Sequence, residues 1–195
     1  MEFSVSVALR AVAGSCLPAL LLVVAACDPG ASPAAPVVVT SSAAPGSPGF
    51  FGGTDMAWVE ITIAMDEELL PLLDLAATRS SDPRVQALAA TVKAGHEQEL
   101  GVLRSLHDQA KLPAENPHEG MPMPGMVTPD QVTEAAAARG AAFDKLLLRH
   151  LEAHLQQGVK LAESERKAGV EPQTRSLAGQ VITNRTQVLK DMAES

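Results

Sequence analysis

The sequence predicts an all-α fold, an up-down four-helix bundle that follows a signal peptide and a flexible linker. Aromatic residues make up only 3% of the 195 residues and Tyr is absent, so the core must be built from Leu, Val, Ala and Met. Such a core favours helices, because sheets recruit aromatic and β-branched side chains. After position 53, apolar residues recur at three- and four-residue steps, as on one face of a helix. Acid–Pro and Thr–Pro pairs between these stripes are typical helix starts.

The N-terminal segment, residues 1–26, has the pattern of a bacterial lipoprotein signal peptide. Arg10 is followed by an apolar run of about 16 residues, which is shorter than the ~20 needed to span a bilayer. The run ends in Val24-Ala25-Ala26-Cys27, where small residues precede a Cys whose thiol would take the diacylglycerol. We therefore predict lipidation at Cys27 and a position on the extracytoplasmic side of the cell membrane. The alternatives are an ordinary signal peptide and an uncleaved anchor.

The segment from 27 to 53 predicts a linker, because it is rich in Pro, Ala, Ser and Gly and has almost no charge. Such a composition cannot bury a core. We expect it to be flexible and to hold the domain, residues 54–195, off the membrane.

Charge and cysteine usage narrow the range of partners. The formal net charge is −8 and no basic cluster stands out, so nucleic acid, whose phosphates need Lys and Arg, is not an expected partner. The two Cys, Cys16 and Cys27, both precede the domain. The domain itself is therefore predicted to have neither a disulfide nor a thiolate metal site.

Local start and stop signals divide the domain into helices. The first helix has an apolar stripe interrupted by Pro71, where we expect a kink. The second should end near Lys111-Leu112-Pro113, before a Pro- and Gly-rich connector. A short Ala-rich helix and a bend at Gly140 then precede the third long stripe. The predicted starts are Thr54-Asp55, Asp82-Pro83, Thr128-Pro129 and Glu171-Pro172.

The two halves of the domain resemble each other at a spacing of 89 residues, which separates Asp82-Pro83 from Glu171-Pro172. At this spacing Met65 falls on His154. A duplicated helical hairpin is a natural way to build a four-helix bundle. In bundles of this kind, metal sites are built in the core from side chains on facing helices.

One stretch of the domain resembles a known family. Met123-Pro124-Gly125-Met126 is followed by Thr128, Gly140 and Phe143-Asp144-Lys145-Leu146. This order resembles the family called domain of unknown function 305, and the match covers about Asp55 to Met192. The resemblance implies a ferritin-like four-helix fold in an exported bacterial protein. It also implies a link with copper or silver, because some members are associated with handling of these metals in the cell envelope.

The usual mark of that family is a His-His pair on the first helix of each half and a Gln on the second helix. Met65-Asp66 stand at the first pair's position in this sequence. His154 matches the first His of the second pair, and Leu155 replaces the other. His96 and Arg185 stand at the two Gln positions. One of the four expected histidines is therefore present.

Two groups of side chains are candidate metal ligands. His150 and His154 lie one helical turn apart on one face, as ligation by two imidazoles requires. The family's helix pairing implies that His96 and Met65 approach them, and such a set suits Cu(I), Ag(I) or Zn(II). The second group lies in the connector, where His118 is close to three thioethers that favour Cu(I). These are Met121, Met123 and Met126.

Each candidate also has a structural interpretation. Histidines at helix boundaries are commonly half-exposed without binding anything, and Met fills irregular gaps in cores. The acidic run Asp66-Glu67-Glu68 is interpreted as a solvated face. A di-iron bundle needs Glu-x-x-His on its helices, but this spacing occurs only at Glu115 and His118, within the connector. No nucleophile triad or phosphate-binding loop stands out, so we predict that the protein is not an enzyme.

Two functional classes remain open. The first is a membrane-anchored, non-catalytic helical domain that binds a protein partner of unknown identity, which the missing His pairs favour. The alternative is an envelope metal-binding protein for copper or silver, with Cu(I) as the expected ion. His154, its neighbour His150 and the Met-rich connector favour this alternative.

Overall fold

The computed structural model describes residues 46–194, and this range is helical with no strand. The signal peptide predicted at 1–26, the lipidation site Cys27 and most of the linker lie outside the described residues. None of the described helices has the length and hydropathy needed to cross a membrane. The helices are α1 (Gly53–Asp74), α2 (Ala76–Arg79), α3 (Pro83–Ala110), α4 (Pro129–Ala137), α5 (Ala141–Ala168) and α6 (Pro172–Ala193).

The four long helices form two hairpins. α1 packs along α3, α5 packs along α6, and α1 also packs against α5 and so joins the hairpins. The short helices α2 and α4 lie at the connections, α2 after α1 and α4 before α5. The predicted all-α helical bundle is confirmed.

Three helices begin at the predicted pairs, and side-chain capping explains why. The Asp82 carboxylate accepts a hydrogen bond from the Arg84 N–H at 2.8 Å, and Glu171 accepts one from the Thr174 N–H at 2.6 Å. At Thr128 the hydroxyl accepts from the Gln131 N–H at 3.4 Å, while the Gln131 side chain accepts from the Thr128 N–H at 2.9 Å. Each cap is followed by Pro, whose missing N–H costs nothing at the first helical position.

The start of α1 differs from the prediction. Gly52, not Thr54-Asp55, caps the helix, and Asp55 lies three residues further on with its side chain fully buried. The Asp55 carboxylate accepts from the Gly52 N–H at 2.7 Å and from the N–H groups of Val170 and Glu171, each at 2.9 Å. Asp55 was predicted as a local cap, but it ties the start of α1 to the turn between α5 and α6.

Pro71 does not end α1. The helix continues through Pro71 to Asp74 and is interrupted one residue later at Leu75, before α2. α3 ends where the sequence predicts, because Lys111 adopts a left-handed backbone with φ of 55° that cannot continue a right-handed helix.

The apolar core consists of two main clusters, with buried polar residues between them along the helices. One cluster includes Leu69, Val92 and Phe143, and the other includes Ile63 and Leu100. On α1 the sequence passes from Ile63 of one cluster, through a buried Asp66, to Leu69 of the other. On α3 it likewise passes from Val92 through a buried His96 to Leu100. The bundle interior therefore contains a polar layer between two apolar clusters.

The connector between α3 and α4 is attached to both hairpins. The Asn116 side-chain amide donates to the Glu60 carbonyl at 2.7 Å, and the Gly120 N–H donates to the Glu68 carboxylate at 2.7 Å, so the connector follows α1. Gly125, with φ of 79°, then lies directly on α5. A Cβ at that position would come within 2.8 Å of the carbonyl oxygen of Ala153. Ala153 is the residue before His154.

Candidate metal centre

The polar layer takes one buried side chain from each long helix. Asp66 comes from α1, His96 from α3, His154 from α5 and Arg185 from α6. Asp66 and His154 have no exposed surface, and the other two are nearly as deeply buried. Their positions follow the internal repeat, because Met65, the neighbour of Asp66, is equivalent to His154, and His96 is equivalent to Arg185 at the same 89-residue spacing.

Both imidazoles point at the same carboxylate oxygen. The Nε2 atoms of His96 and His154 are 3.0 Å apart. Oδ1 of Asp66 lies 3.6 Å from the first nitrogen and 3.3 Å from the second. These three atoms form a compact triangle of nitrogen and oxygen donors on three different helices.

A hydrogen bond to the backbone fixes the position of the hydrogen on the neutral His96 ring. Nδ1 of His96 lies 3.0 Å from the Val92 carbonyl, which can only accept, so this nitrogen carries the hydrogen. Nε2 of a neutral His96 is then unprotonated and presents its lone pair to the centre of the triangle. For Nε2 of His154 to bind a metal ion as well, the hydrogen of that neutral ring must lie on its Nδ1.

Burial keeps both imidazoles neutral. It lowers the pKa of His96 to about 4, against the opposing influence of the Asp66 charge. Burial likewise lowers the pKa of His154, with Asp66 opposing the shift. Neutral imidazole is the form that binds metal ions, so at neutral pH both rings can bind one without first losing a proton.

Asp66 keeps its negative charge despite complete burial. Burial works to raise its pKa, but the Arg185 guanidinium and the two imidazoles outweigh this and hold the pKa of Asp66 well below its ordinary value. Arg185 Nη2 lies 2.8 Å from Oδ1 of Asp66 and 2.9 Å from Oε1 of Glu99. Burial, followed by the Asp66 charge, raises the pKa of Glu99 to about 8, so this carboxyl is largely protonated at neutral pH.

The donor set fits a transition-metal ion. All three ligand atoms lie within 4.8 Å of one another. With bonds of about 2.0–2.1 Å, tetrahedral coordination separates ligand atoms by about 3.3–3.5 Å, which is close to the three spacings above. Imidazole suits copper and zinc, and Oδ2 of Asp66 is buried without a hydrogen bond among the described residues. The residues present therefore fit a bound metal ion.

The structure separates the first group of predicted ligands. His96 and His154 come together at the centre of the bundle. His150, one turn before His154, is not part of the triangle, and its Nε2 lies 3.2 Å from the Arg149 guanidinium. Met65 is fully buried, where it packs with Ala64 and Met126.

The second group, in the connector, is spread between the surface and the core. Met121 is 43% exposed, Met123 is half-buried, and Met126 is buried against Met65. His118 is also half-buried, and its Nδ1 makes no hydrogen bond in the described part of the chain. Met123 and Met126 pack with Met65, while Met121 faces solvent.

Asp66, Glu99 and Arg185 are site residues that were not among the predicted ligands, although Asp66 and Arg185 stand at positions of the family's motif. Asp66 was interpreted as part of a solvated face, and its neighbour Glu67 is indeed exposed, but Asp66 points inward. The signal that could have identified it is a regular four- and three-residue spacing. The inward positions on this spacing are Val59, Thr62, Asp66, Leu69 and Leu73.

Fold and site together define a class: an all-helical bundle with a buried group of two imidazoles and one carboxylate that can hold a metal ion. The family model for the domain of unknown function DUF305 matches residues 55–195, most of the chain. The chain therefore belongs to the DUF305 family. No curated protein matches this sequence.

Several solved structures share the fold. A DUF305 fragment from Deinococcus radiodurans has a TM-score of 0.67 and 16% identity, over 76% of this chain and 97% of that one. A DUF305 protein from Streptomyces coelicolor, described as a candidate secreted protein, has a TM-score of 0.65 and 19% identity, over 72% and 90%. CopM in its Cu(I)-bound form has a TM-score of 0.62 and 19% identity, over 73% and 95%. CopM is also similar in its Cu(II)-bound form.

Proposed function

We propose that this protein is a non-catalytic, extracytoplasmic metal-binding protein that holds one copper ion between Asp66, His96 and His154. The observation that carries the proposal is the triangle of three buried donor atoms, spaced 3.0, 3.3 and 3.6 Å apart. The similarity to CopM, whose structures contain Cu(I) and Cu(II), supports copper as the metal. In this role the protein stores or carries the ion and catalyses no reaction with it.

The charges of the site favour a monovalent ion. With both imidazoles neutral and Glu99 protonated, Asp66 and Arg185 balance each other. Adding charge to a buried site is costly, so a single positive charge is easier to accommodate than two. We therefore propose Cu(I), with Ag(I) as its chemical analogue, ahead of Zn(II).

The location is part of the proposal. The lipoprotein signal at 1–26 and Cys27 support export followed by attachment to the membrane through a diacylglycerol. The similarity to a candidate secreted protein from Streptomyces coelicolor agrees with export. Cys27→Ser should abolish incorporation of radiolabelled fatty acid and release the protein from the membrane fraction. Unchanged labelling of that variant would contradict lipidation at Cys27.

Metal titration tests the site. The titration uses the full chain with Cys16→Ser and Cys27→Ser. These substitutions remove the two thiols, which would otherwise compete for soft ions. We expect this protein to take up about one Ag(I) or Cu(I) ion under reducing conditions. His96→Ala and His154→Ala should each weaken binding at least about tenfold, because two ligands hold an ion less well than three.

Two matched variants locate the binding. His150→Ala removes a buried histidine on the same helix that lies outside the triangle, and it should leave uptake unchanged. Replacement of Met121, Met123 and Met126 by Leu tests the connector. Uptake that survives His154→Ala but is lost in the Met variant would place the site in the connector and contradict the triangle.

A second candidate function is a helical domain that binds a protein partner and has no metal. The observation in its favour is that Arg185 already neutralises Asp66, so the polar layer is electrostatically complete without an ion. Under this alternative the titration should show no uptake, and a protein from envelope extracts should be retained on the immobilised domain.

A further inference from the structure

The place that a metal ion would take beside Asp66 already has a positive charge nearby. Arg185 Nη2 lies 2.8 Å from Oδ1 of Asp66, the same oxygen that faces the Nε2 atoms of His96 and His154. The Arg185 side chain is 2% exposed, so solvent scarcely screens its charge. One oxygen of the Asp66 carboxylate thus lies close to two imidazoles and a guanidinium at the same time.

The backbone of α5 is shaped to hold this guanidinium. Gly158 lies one turn after His154, and a Cβ at that position would overlap Nη1 of Arg185 and come within 2.7 Å of Cζ. Only a residue without a side chain leaves this space. Arg185 is therefore held against α5 by close packing as well as by its ion pairs.

We propose that Arg185 is an internal competitor of the metal ion and sets the affinity of the site. This inference rests on the proposed metal binding at Asp66, His96 and His154. Two positive charges a few ångströms apart repel strongly in a buried environment, and one carboxylate cannot neutralise both. Metal binding therefore requires the guanidinium to give up its contact with Oδ1 of Asp66.

Glu99 offers the guanidinium a second contact. Its Oε1 lies 2.9 Å from Arg185 Nη2, and its side chain is 11% exposed, nearer to solvent than Asp66. A small movement of the guanidinium towards Glu99 frees Oδ1 of Asp66 while keeping the hydrogen bond to Glu99. The site thus has a state closed by Arg185 and a state open to a metal ion.

The pseudo-repeat explains why this competitor is present on one side only. Arg185 on α6 is equivalent to His96 on α3 at the 89-residue spacing. One hairpin supplies a ligand at this position and the other supplies a cation. At this position one hairpin therefore favours metal binding beside Asp66 and the other opposes it.

The first test is the Arg185→Gln variant of the chain that lacks Cys16 and Cys27. Its Ag(I) and Cu(I) affinities are measured by competition with a chelator of known affinity. The amide still donates to Asp66 but has no charge, so we expect affinity to rise by about tenfold or more over the parent protein. The matched control is Arg104→Gln, which removes an exposed Arg paired with Glu67, the residue next to Asp66. The control should change affinity less than about twofold.

The outcomes separate this inference from the metal proposal. The competition is supported if Arg185→Gln binds the ion more tightly than the parent protein does. It is also supported if Arg185→Gln binds the ion and the parent protein does not. Equal or weaker binding by Arg185→Gln, with the parent protein binding normally, overturns the competition and leaves the metal site standing. No uptake by either protein overturns both proposals.

A second measurement leaves Arg185 in place. In the parent protein, the chain that lacks only Cys16 and Cys27, side-chain ¹⁵N resonances of Arg185 and Arg104 are followed during Ag(I) titration. We expect the Arg185 guanidinium signal to shift in proportion to the bound ion and the Arg104 signal to stay in place. Full Ag(I) occupancy with no change at Arg185 would overturn the competition.

Discussion

Glu165 on α5 has a fully buried carboxyl group beside the carboxylate of Asp55. Burial, followed by the proximity of Asp55, raises the pKa of Glu165 to about 8. The group is therefore largely protonated at neutral pH, although an exposed Glu would be charged. The backbone of Gly169 packs closely on the same carboxyl, so Glu165 has no route to solvent without movement of the turn after α5.

Glu165→Gln should remove a pH dependence of stability. Because the folded-state pKa lies above the ordinary value of 4.5, folding binds a proton, and the stabilising effect is complete below pH 4.5 and lost as pH rises through 8. The amide imitates the protonated acid at every pH. We expect the variant to match the wild type near pH 4.5 and to be more stable by about 4 kcal/mol at pH 8, as measured by urea denaturation.

The control for this experiment is Glu163→Gln, which changes an exposed Glu on the same helix. It should leave the pH profile of the wild type unchanged. A Glu165→Gln protein whose free energy of unfolding depends on pH as that of the wild type does would contradict the raised pKa of Glu165.

Among single residues, the sequence predicted the ligands that stand out by residue type, and it missed those hidden by context. His154 was identified from its one-turn spacing to His150 and its match to a family His, and His96 from the helix pairing that the family resemblance implies. Asp66 was hidden because the two residues after it are also acidic and only its phase on the helix differs. Arg185 was noted at a family Gln position, but its ion pair could not be predicted because its partner Asp66 is 119 residues away.

At the scale of structural elements, the connector between α3 and α4 depends on glycines for two different reasons. Gly120 and Gly125 both have positive φ, of 68° and 79°. A Cβ at Gly120 would meet no atom within 4 Å, whereas one at Gly125 would lie 2.6 Å from the Gln157 Cβ. Gly125 therefore also allows the connector to lie directly on α5.

These two glycines form a matched pair for mutagenesis. Gly120→Ala should cost about 1–2 kcal/mol, the strain of a left-handed backbone with a side chain. Gly125→Ala should cost about 3 kcal/mol, because it adds overlap with α5 to the same strain. Free energies of unfolding from urea denaturation measure both. Equal costs would mean that the connector can lift from α5 without loss.

The elements that the sequence predicted well are those with local causes. Acid–Pro and Thr–Pro pairs locate the starts of α3, α4 and α6 because the capping side chain and the backbone N–H that donates to it lie within three residues. The start of α1 could not be predicted this way. Asp55 is attracted to N–H groups 115 and 116 residues away, and this draws it into the helix instead of leaving it at the cap.

At the scale of the whole molecule, the polar layer lowers the stability that an apolar core of the same size would provide. It places a carboxylate, a guanidinium and two imidazoles among apolar clusters that Leu and Val would otherwise extend. Buried ion pairs of this kind are often less stabilising than apolar residues of similar size. A fold selected for stability alone has no need of this layer, and this agrees with a role in binding.

An apolar version of the layer tests this interpretation. Asp66, His96 and His154 are changed to Leu and Arg185 to Met in one protein, and Arg185→Met alone is the matched comparison. We expect the fourfold variant to be as stable as wild type or more stable by about 1–4 kcal/mol, and to bind no metal. Arg185→Met alone should lose about 3 kcal/mol, because it leaves Asp66 buried without its main counter-charge. Thermal and urea unfolding of the fourfold variant decide the question, and a large loss of stability would assign the layer a structural role.

The space above Gly158 links two positions that are 27 residues apart in sequence and on different helices. Because the guanidinium fills the volume that a side chain at 158 would need, a larger residue at 158 requires a shorter one at 185. Across the family, a long side chain at the position of Arg185 should therefore occur with Gly at the position of Gly158. Where the residue at 185 is short, Ala or a larger residue at 158 becomes acceptable. The close contact between α5 and α6 thus predicts a pattern of paired substitution that an alignment of relatives would reveal.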